Sequence, residues 1–298
     1  SSEGQGADGA AAPTNATGDK VKKLDVLANA LVRDALLATG CVRYYASEEE
    51  KVVVELDSGG AFVVACDPLD GSRNLDASLP TGTIFGVHRV LKDAAENEEH
   101  LIHDDVEAHA LQRGSALVAA GYASYSSATN LVVAVAGGGP ATEFTLSETD
   151  AQFKRVGILS CPPRGQTYSL NDARFADWPQ GLQKYVAKVR EGKGETKKKY
   201  SGLYVGSLVT DFHRTLKHGG WCGNPRPHLR MVYEANPLAF IARACGGAAS
   251  DGSGATLNKT VSGVHDRAPL FIGSREDVEE VTSYAAYGVT QAATEYEV

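Results

Sequence analysis

Apolar positions recur at helical spacing through Val21, Leu24, Ala28, Leu31 and Ala35. They predict an amphipathic helix that ends near Gly40. Residues 52–55 and 62–66 read as two strands, with Asp57-Ser58-Gly59-Gly60 as the turn between them. A further strand is expected at Thr83–Val87, and others in "LVAAGYASY" and in "NLVVAVAGGGPATEFTLS", where a Gly-rich turn divides the run. Beyond about residue 158 the pattern turns helical at 180–190, 207–218 and 237–245. The last of these carries clear signals: Asn236 as cap, Pro237 in the first turn, and Gly246-Gly247 as the stop. On that reading Glu234 stands just outside a helix start. Strand and helix signals interleave along the whole chain, which predicts a layered α/β fold.

Composition narrows the function classes. With 29 Lys and Arg against 37 Asp and Glu, the formal net charge is -8, which disfavours partners held by bulk positive charge, nucleic acid and acidic membrane alike. No apolar run is long enough to span a bilayer, and nothing near the N-terminus combines a charged region with an apolar core, so no signal peptide is expected. The five cysteines (Cys41, Cys66, Cys161, Cys222, Cys245) are scattered without any close pair. They are expected as reduced thiols in the cytoplasm or another reducing compartment, a plastid included if a transit peptide has been removed. Residues 1–18 are rich in Gly, Ala and Ser and are expected to be flexible.

The chemistry concentrates in "ACDPLDGSRNLD", residues 65–76, directly after the apolar "AFVV". Asp67 and Asp70 flank a Pro-Leu pair whose backbone must turn, so both carboxylates and the Leu69 carbonyl can face one side. Convergent oxygens of this kind suit Mg²⁺. Gly71 and Ser72 could then aim backbone N–H groups at a phosphate. A simple Asx-turn explains the same residues equally well in isolation. Likewise Glu48, Glu49 and Glu50 read alone as a solvated acidic loop, and Asp19 as a helix-dipole partner at the start of the first helix, with Asp25 beside it.

Taken together, "TNATGDKVKKLDVLANALV", "SEEEK", "CDPLDGSRNLD", "GTIFGV", "LVAAGYASYSSAT", "YVGSLVTDFHRTL" and "LRMVYEANPLAF…ARACGGAASDG" resemble the sugar-bisphosphatase family, in the same order and from about Thr14 to Ser274. That family comprises fructose-1,6-bisphosphatase and sedoheptulose-1,7-bisphosphatase. The resemblance implies a layered αβαβα sandwich, with a metal-binding domain over residues 19–158 and a substrate-binding domain over 159–298. It implies Mg²⁺, two to three ions per subunit with Mn²⁺ able to substitute, held by Glu48, Asp67, Asp70 and Glu234 with the Leu69 carbonyl and Asp19 as additional ligands. Asp25 and Glu49 match the acidic pair that activates the attacking water, Glu48 standing beside them, and Arg230 matches the cation near the transferred phosphate. The implied reaction is direct attack on the 1-phosphate of a ketose bisphosphate, by a homodimer or homotetramer.

The pocket for the far phosphate departs from the family. Asn171 and Tyr204 match, but Leu203, Asn224 and His228 stand where Arg, Tyr and Lys are usual, and Arg174 stands where fructose enzymes carry Tyr. The Arg replaced by Leu203 would supply a charge-assisted contact of about 1.5–3 kcal/mol. The segment from Gly220 to His228 is also shorter than in typical fructose enzymes. Asn224 and Arg174 are closer to the sedoheptulose branch, so sedoheptulose-1,7-bisphosphate is the expected substrate, with fructose-1,6-bisphosphate the alternative. Two other readings are an inositol-phosphatase relative and a catalytically silent sugar-phosphate sensor. Ala61 and Phe62 replace the Lys-Tyr pair of AMP-inhibited members, and AMP inhibition is not expected.

Overall fold

A computed structural model of the chain describes residues 23–91 and 106–285. Within them the first half forms α1 (Lys23–Ala38), β1 (Val42–Ser47), β2 (Val54–Glu55), β3 (Phe62–Asp70), β4 (Thr81–Arg89), β5 (Ala119–Tyr125), β6 (Thr129–Val135), β7 (Thr142–Leu146) and β8 (Phe153–Ile158). The second half forms β9 (Thr167–Ser169), α2 (Gln180–Arg190), β10 (Ser201–Gly202), α3 (Leu208–His218), β11 (Trp221–Arg230), α4 (Asn236–Ala244), β12 (Ala248–Ser250), β13 (Arg267–Gly273) and α5 (Arg275–Ala285). The expected flexible segment 1–18, Asp19, Val21 and the last thirteen residues lie outside the described residues.

Two sheets result, ordered β2-β1-β3-β4-β5-β6-β7-β8 and β10-β9-β11-β13-β12. Strands β1 and β3 run parallel, and the first sheet is otherwise antiparallel. Helices α3 and α4 pack against β4 and β5 on one side and against the second sheet on the other. Helix α1 covers the outer face of β1 and β3, while α2 and α5 pair over the second sheet. The layers therefore run αβαβα. The main core fills the space around α3 and α4, where Tyr122, Phe212, Leu216, Leu238 and Ile241 are fully enclosed. These helices need apolar residues on two faces, which explains the nearly continuous apolar run of α4.

Several sequence expectations change. The sequence pattern does not reveal strand β1, because "VRYYAS" carries polar and aromatic residues that only a sheet neighbour on each side makes favourable; the strand expected at 52–55 shrinks to its last two residues. Helix α1 turns its leucine stripe outward: Leu24, Leu27 and Leu31 are half exposed or more, while Asp25 and Asn29 are buried, with Val32 and Leu36 partly so, against the sheet. The inner face of α1 is thus chosen by polar groups that have partners there. Asn236 does not begin its helix either. The chain turns helical at Met231 in a wider π turn, Met231–Ala235, that continues into α4, so Glu234 lies inside the helical segment. Of the segment 220–228, all but Gly220 belongs to β11. It makes five steps from Asn224 to Leu229 while β13 makes two, from Leu270 to Ala268, so residues bulge out from the strand there.

One register irregularity positions the site. Asp67 pairs with Ile84 and Asp70 with Gly82, three steps on β3 against two on β4. In a regular strand, side chains three residues apart point to opposite faces; one bulged residue returns them to the same face. Gly82 matters for the same reason: a Cβ there would stand 2.7 Å from the Ala123 carbonyl oxygen and 2.8 Å from Val209 Cβ. The bare backbone lets α3 approach β4 beside Asp70. Gly82→Ala should therefore destabilise the fold by about 1–3 kcal/mol, the usual scale of an overpacked core. Denaturant unfolding measures it, and an unchanged midpoint would show that α3 has room to spare.

Candidate active site

The bulge on β3 brings Asp67 and Asp70 beside Glu234 from the π turn, with one carboxylate oxygen of each within 4.8 Å of the others. All three residues are buried. Around them the chain supplies few but specific partners. Leu69 N–H donates to Asp67 Oδ1 at 3.0 Å, so the Asx-turn is real and coexists with the cluster. Thr83 Oγ1 donates to the Pro68 carbonyl at 2.8 Å and fastens the bulge to β4. Asp70 Oδ2 accepts from Ser207 Oγ at 2.8 Å and from Val209 N–H at 2.9 Å, and thus sits at the N-terminus of α3. Glu234 Oε2 accepts the Arg230 N–H and caps its own helical turn.

Arg230 crosses the cluster. Its Nη2 lies 2.7 Å from Glu48 Oε1 and its Nη1 3.9 Å from Glu234 Oε1. Glu48 is thereby placed at the cluster's edge from the loop after β1, and its charge acts on Asp67 and Glu234. Glu49 is half-buried on the same loop, and its N–H faces Ser47 Oγ at 3.3 Å. Asp25 lies on the buried face of α1, one turn before Asn29. Asn29 is bound to this region through its Oδ1, which accepts from Tyr45 Oη at 2.9 Å and Ser47 Oγ at 2.8 Å. Asp19 lies outside the described residues.

The carboxylates titrate as crowded, buried acids. Burial raises Asp67 well above the ordinary carboxylate range, and repulsion from Glu48, Asp70 and Glu234 adds to it. Burial also raises Asp70, against the opposing hydrogen bonds from the start of α3. Burial lifts Glu234 to about 8, although Arg230 pulls the other way. A chain gains nothing in stability from such a set on its own. All the donors are hard oxygens, they converge, and they repel one another, so the set fits a divalent cation such as Mg²⁺ or Mn²⁺.

The other sequence-selected residues surround this point. Gly71 adopts a left-handed φ of +74°, and a Cβ there would approach Ser207 Cβ to 3.0 Å, so glycine is required where the chain leaves β3. Ser72 opens the 3₁₀ turn Ser72–Ala77. Strands β10 and β11 each run parallel to β9. Asn171 and Leu203 with Tyr204 follow the ends of β9 and β10, and the pairing of Cys222 with Ser169 places Asn224, within β11, level with Asn171. Arg174 lies in the 3₁₀ turn after β9, 3.8 Å from Asp177, and His228 is exposed in the bulge of β11.

Two positioning groups escaped the sequence reading. Ser207 is the N-cap of α3, accepting the Thr210 N–H at 3.3 Å while donating to Asp70. Asp211, one turn on, accepts the Val205 N–H at 3.2 Å and steadies the segment that carries Tyr204. A Ser before an apolar helix was visible as a cap signal in "GSLVTDF"; its second partner, 137 residues away, was not.

Comparison with known proteins gives this geometry a family. The sequence pattern described as Fructose-1-6-bisphosphatase, N-terminal domain matches residues 6–157, and the corresponding C-terminal domain matches residues 161–286. The chain belongs to the fructose-1,6-bisphosphatase family. Similar proteins include fructose-1,6-bisphosphatase 1 of Bos taurus, 40% identical over 288 residues that cover 91% of this chain and 80% of that protein. The chloroplastic fructose-1,6-bisphosphatase of Pisum sativum is 38% identical over 289 residues, 91% of this chain and 70% of its own. Among solved structures, the holo form of Leishmania major fructose-1,6-bisphosphatase superposes with a TM-score of 0.84 at 35% identity, covering 92% of this chain and 85% of that one. Members of this family are phosphatases of sugar bisphosphates, and this chain is accordingly a phosphoric monoester hydrolase. Among the described residues no helix is long and apolar enough to cross a membrane.

The raised carboxylates set a pH dependence. Their folded-state pKa values exceed the ordinary 3.8 of Asp and 4.5 of Glu, that of Glu234 reaching about 8, so above about pH 4 and, for Glu234, up to about pH 8 the folded metal-free protein holds more protons than the unfolded chain. Stability contributed by these groups is then present below pH 4 and lost as pH rises toward 8. Thermal unfolding without metal should show Tm falling across this range, and added Mg²⁺ should raise Tm more at pH 8 than at pH 5. A metal response independent of pH would remove the three carboxylates from the metal's surroundings.

Proposed function

We propose that this chain is a divalent-metal-dependent fructose-1,6-bisphosphatase that releases the 1-phosphate. The observation that carries this reading is the bulge-borne cluster of Asp67, Asp70 and Glu234, crossed by Arg230, in a chain of this family. Asp67, Asp70, Glu234 and Glu48 would hold the cation, with the Leu69 carbonyl and Asp19 completing the set. When bound, the cation offsets the negative charge of carboxylates and phosphate and makes a water more acidic. Arg230 balances the transferred phosphate, and the backbone N–H groups of Gly71 and Ser72 orient it. Asp25 and Glu49 accept the proton of the attacking water. Mg²⁺ is the ion best matched to an all-oxygen set, with Mn²⁺ as substitute.

The choice between sugars turns away from the expected sedoheptulose preference. The animal and chloroplast relatives are both named for the fructose enzyme, which supports the six-carbon substrate. The two residues that suggested the larger sugar, Asn224 and Arg174, are half-buried at the start of the β11 bulge and in the 3₁₀ turn after β9, while the other departures, Leu203 and His228, are exposed. Asn171, Arg174, Tyr204, Asn224 and His228 are then the candidates for the sugar and its far phosphate. A subunit count of two or four is the expectation that goes with the family, and the solvent-facing leucines of α1 support it.

Comparing kcat/KM on fructose-1,6-bisphosphate and sedoheptulose-1,7-bisphosphate at fixed free Mg²⁺ tests the reading. Fructose-1,6-bisphosphate is expected to lead; a clear lead for the seven-carbon sugar reinstates the other preference. Phosphate release from neither would leave the sensor reading. Asp67→Asn should lower kcat by about 100-fold or more, the scale of losing one preorganised electrostatic group, with the circular dichroism unchanged. Wild-type turnover in that variant would exclude Asp67 from the reaction.

A further inference from the structure

The loop after β1 carries Glu48 and Glu49, and two parts of the chain grip the next residue. From the second half, His265 Nε2 lies 3.1 Å from the Glu50 carbonyl oxygen. Its other ring nitrogen, Nδ1, lies 3.0 Å from Tyr233 Oη, and the two rings meet edge to face with centroids 5.9 Å apart. From the first half, Asn29 Nδ2 donates to Glu50 Oε1 at 2.8 Å, with Arg33 Nη1 3.5 Å from the same oxygen. Glu50 is therefore held by its side chain from α1 and by its backbone from the segment before β13.

The hydrogen-bond pattern assigns the tautomer. A carbonyl oxygen can only accept, so Nε2 carries the proton; in a neutral ring Nδ1 is then the acceptor, and Tyr233 donates to it. Burial favours the neutral ring. The two ends of this relay adjoin opposite walls of the site: Tyr233 precedes Glu234, and Glu50 follows Glu48 and Glu49. One imidazole thus spans carboxylates 186 positions apart in the chain, without itself touching any of them.

We infer that His265 is a positioning residue, oriented by Tyr233, that fixes the Glu48–Glu49 loop relative to Glu234. This inference rests on the site roles given above for Glu48, Glu49 and Glu234. The reaction requires those carboxylates at set separations; the Glu48 N–H ties the start of the loop to the Cys66 carbonyl on β3 at 3.2 Å, and His265 supplies the backbone tie from the loop to the segment that carries Glu234.

Three measurements on His265→Leu and His265→Gln test it: hydrogen exchange of the 48–51 amides in metal-free protein, Mn²⁺ affinity, and kcat and KM on fructose-1,6-bisphosphate. His265→Leu should speed exchange in that loop, weaken Mn²⁺ by about 10-fold and lower kcat by about 10–100-fold, as loss of an outer partner does, with KM within about 2-fold. His265→Gln keeps an N–H donor with similar reach and should recover most of each loss. Exchange and Mn²⁺ affinity unchanged in His265→Leu would overturn the inference, as would equal losses in both variants, which would mark a packing role. If His265→Leu does not fold, Tyr233→Phe should move the same three readouts in the same direction, and wild-type values there would also overturn it. A wild-type protein that cleaves neither bisphosphate while its variants still change exchange and Mn²⁺ affinity would defeat the proposed function and leave the role of His265 intact.

Discussion

Repulsion among buried carboxylates is the constraint to which the rest of the molecule answers. Asp67, Asp70 and Glu234 share a space of less than 5 Å, and no packing argument would place them there, because each loses its hydration and meets like charge. The fold tolerates the arrangement by surrounding it with fixed donors. The start of α3 faces Asp70, the Arg230 backbone holds Glu234, and the bulge's own amide holds Asp67. What these donors leave unbalanced is the negative charge on which the proposed binding of a cation, and through it of a phosphate, rests.

The middle layer of helices is how such a point can be assembled at all. Helix α3 is enclosed by both sheets, so its first turn is held in place from either side, and that turn serves two purposes. Ser207 and Val209 set the plane of the Asp70 carboxylate, while Asp211 steadies the segment carrying Tyr204. The far end is fixed as well: Lys217 Nζ contacts both oxygens of buried Glu143 on β7, at 2.6 and 2.8 Å. The carboxylates proposed to hold the cation on the first sheet and the candidate substrate groups at the edge of the second are therefore tied to one rigid element.

Much of this was legible beforehand, and the reasons differ by residue. The α/β alternation and, among the described residues, four of the five helices and six of the thirteen strands, β2 to β7, follow from periodicity and turn residues, which are local properties; the strands of the second sheet do not. The importance of Asp67 and Asp70 was visible because an Asp-Pro-Leu-Asp-Gly run interrupts an apolar strand. Less legible was anything fixed by partners distant in sequence. Strand β1 depends on neighbours that no local pattern reveals. The outward leucines of α1 invert the simplest amphipathic reading, because Asn29, on the buried face beside Asp25, finds polar partners inside that a leucine could not use. The Asn236 cap was a sound local inference that lost to Glu234, which caps the preceding turn from within.

The sequence alone determined which chemistry was available: acidic residues in specific runs, arginines such as Arg73 and Arg230 beside them, and glycines where the backbone must take left-handed or crowded paths. Tertiary structure alone decided which of those acids meet. An extra residue in β3 relative to β4 turns two aspartates to one face, and a helical turn more than 160 residues later delivers the third. Register and long-range packing are collective properties of the folded chain, so the site's composition could be read residue by residue while its geometry could not.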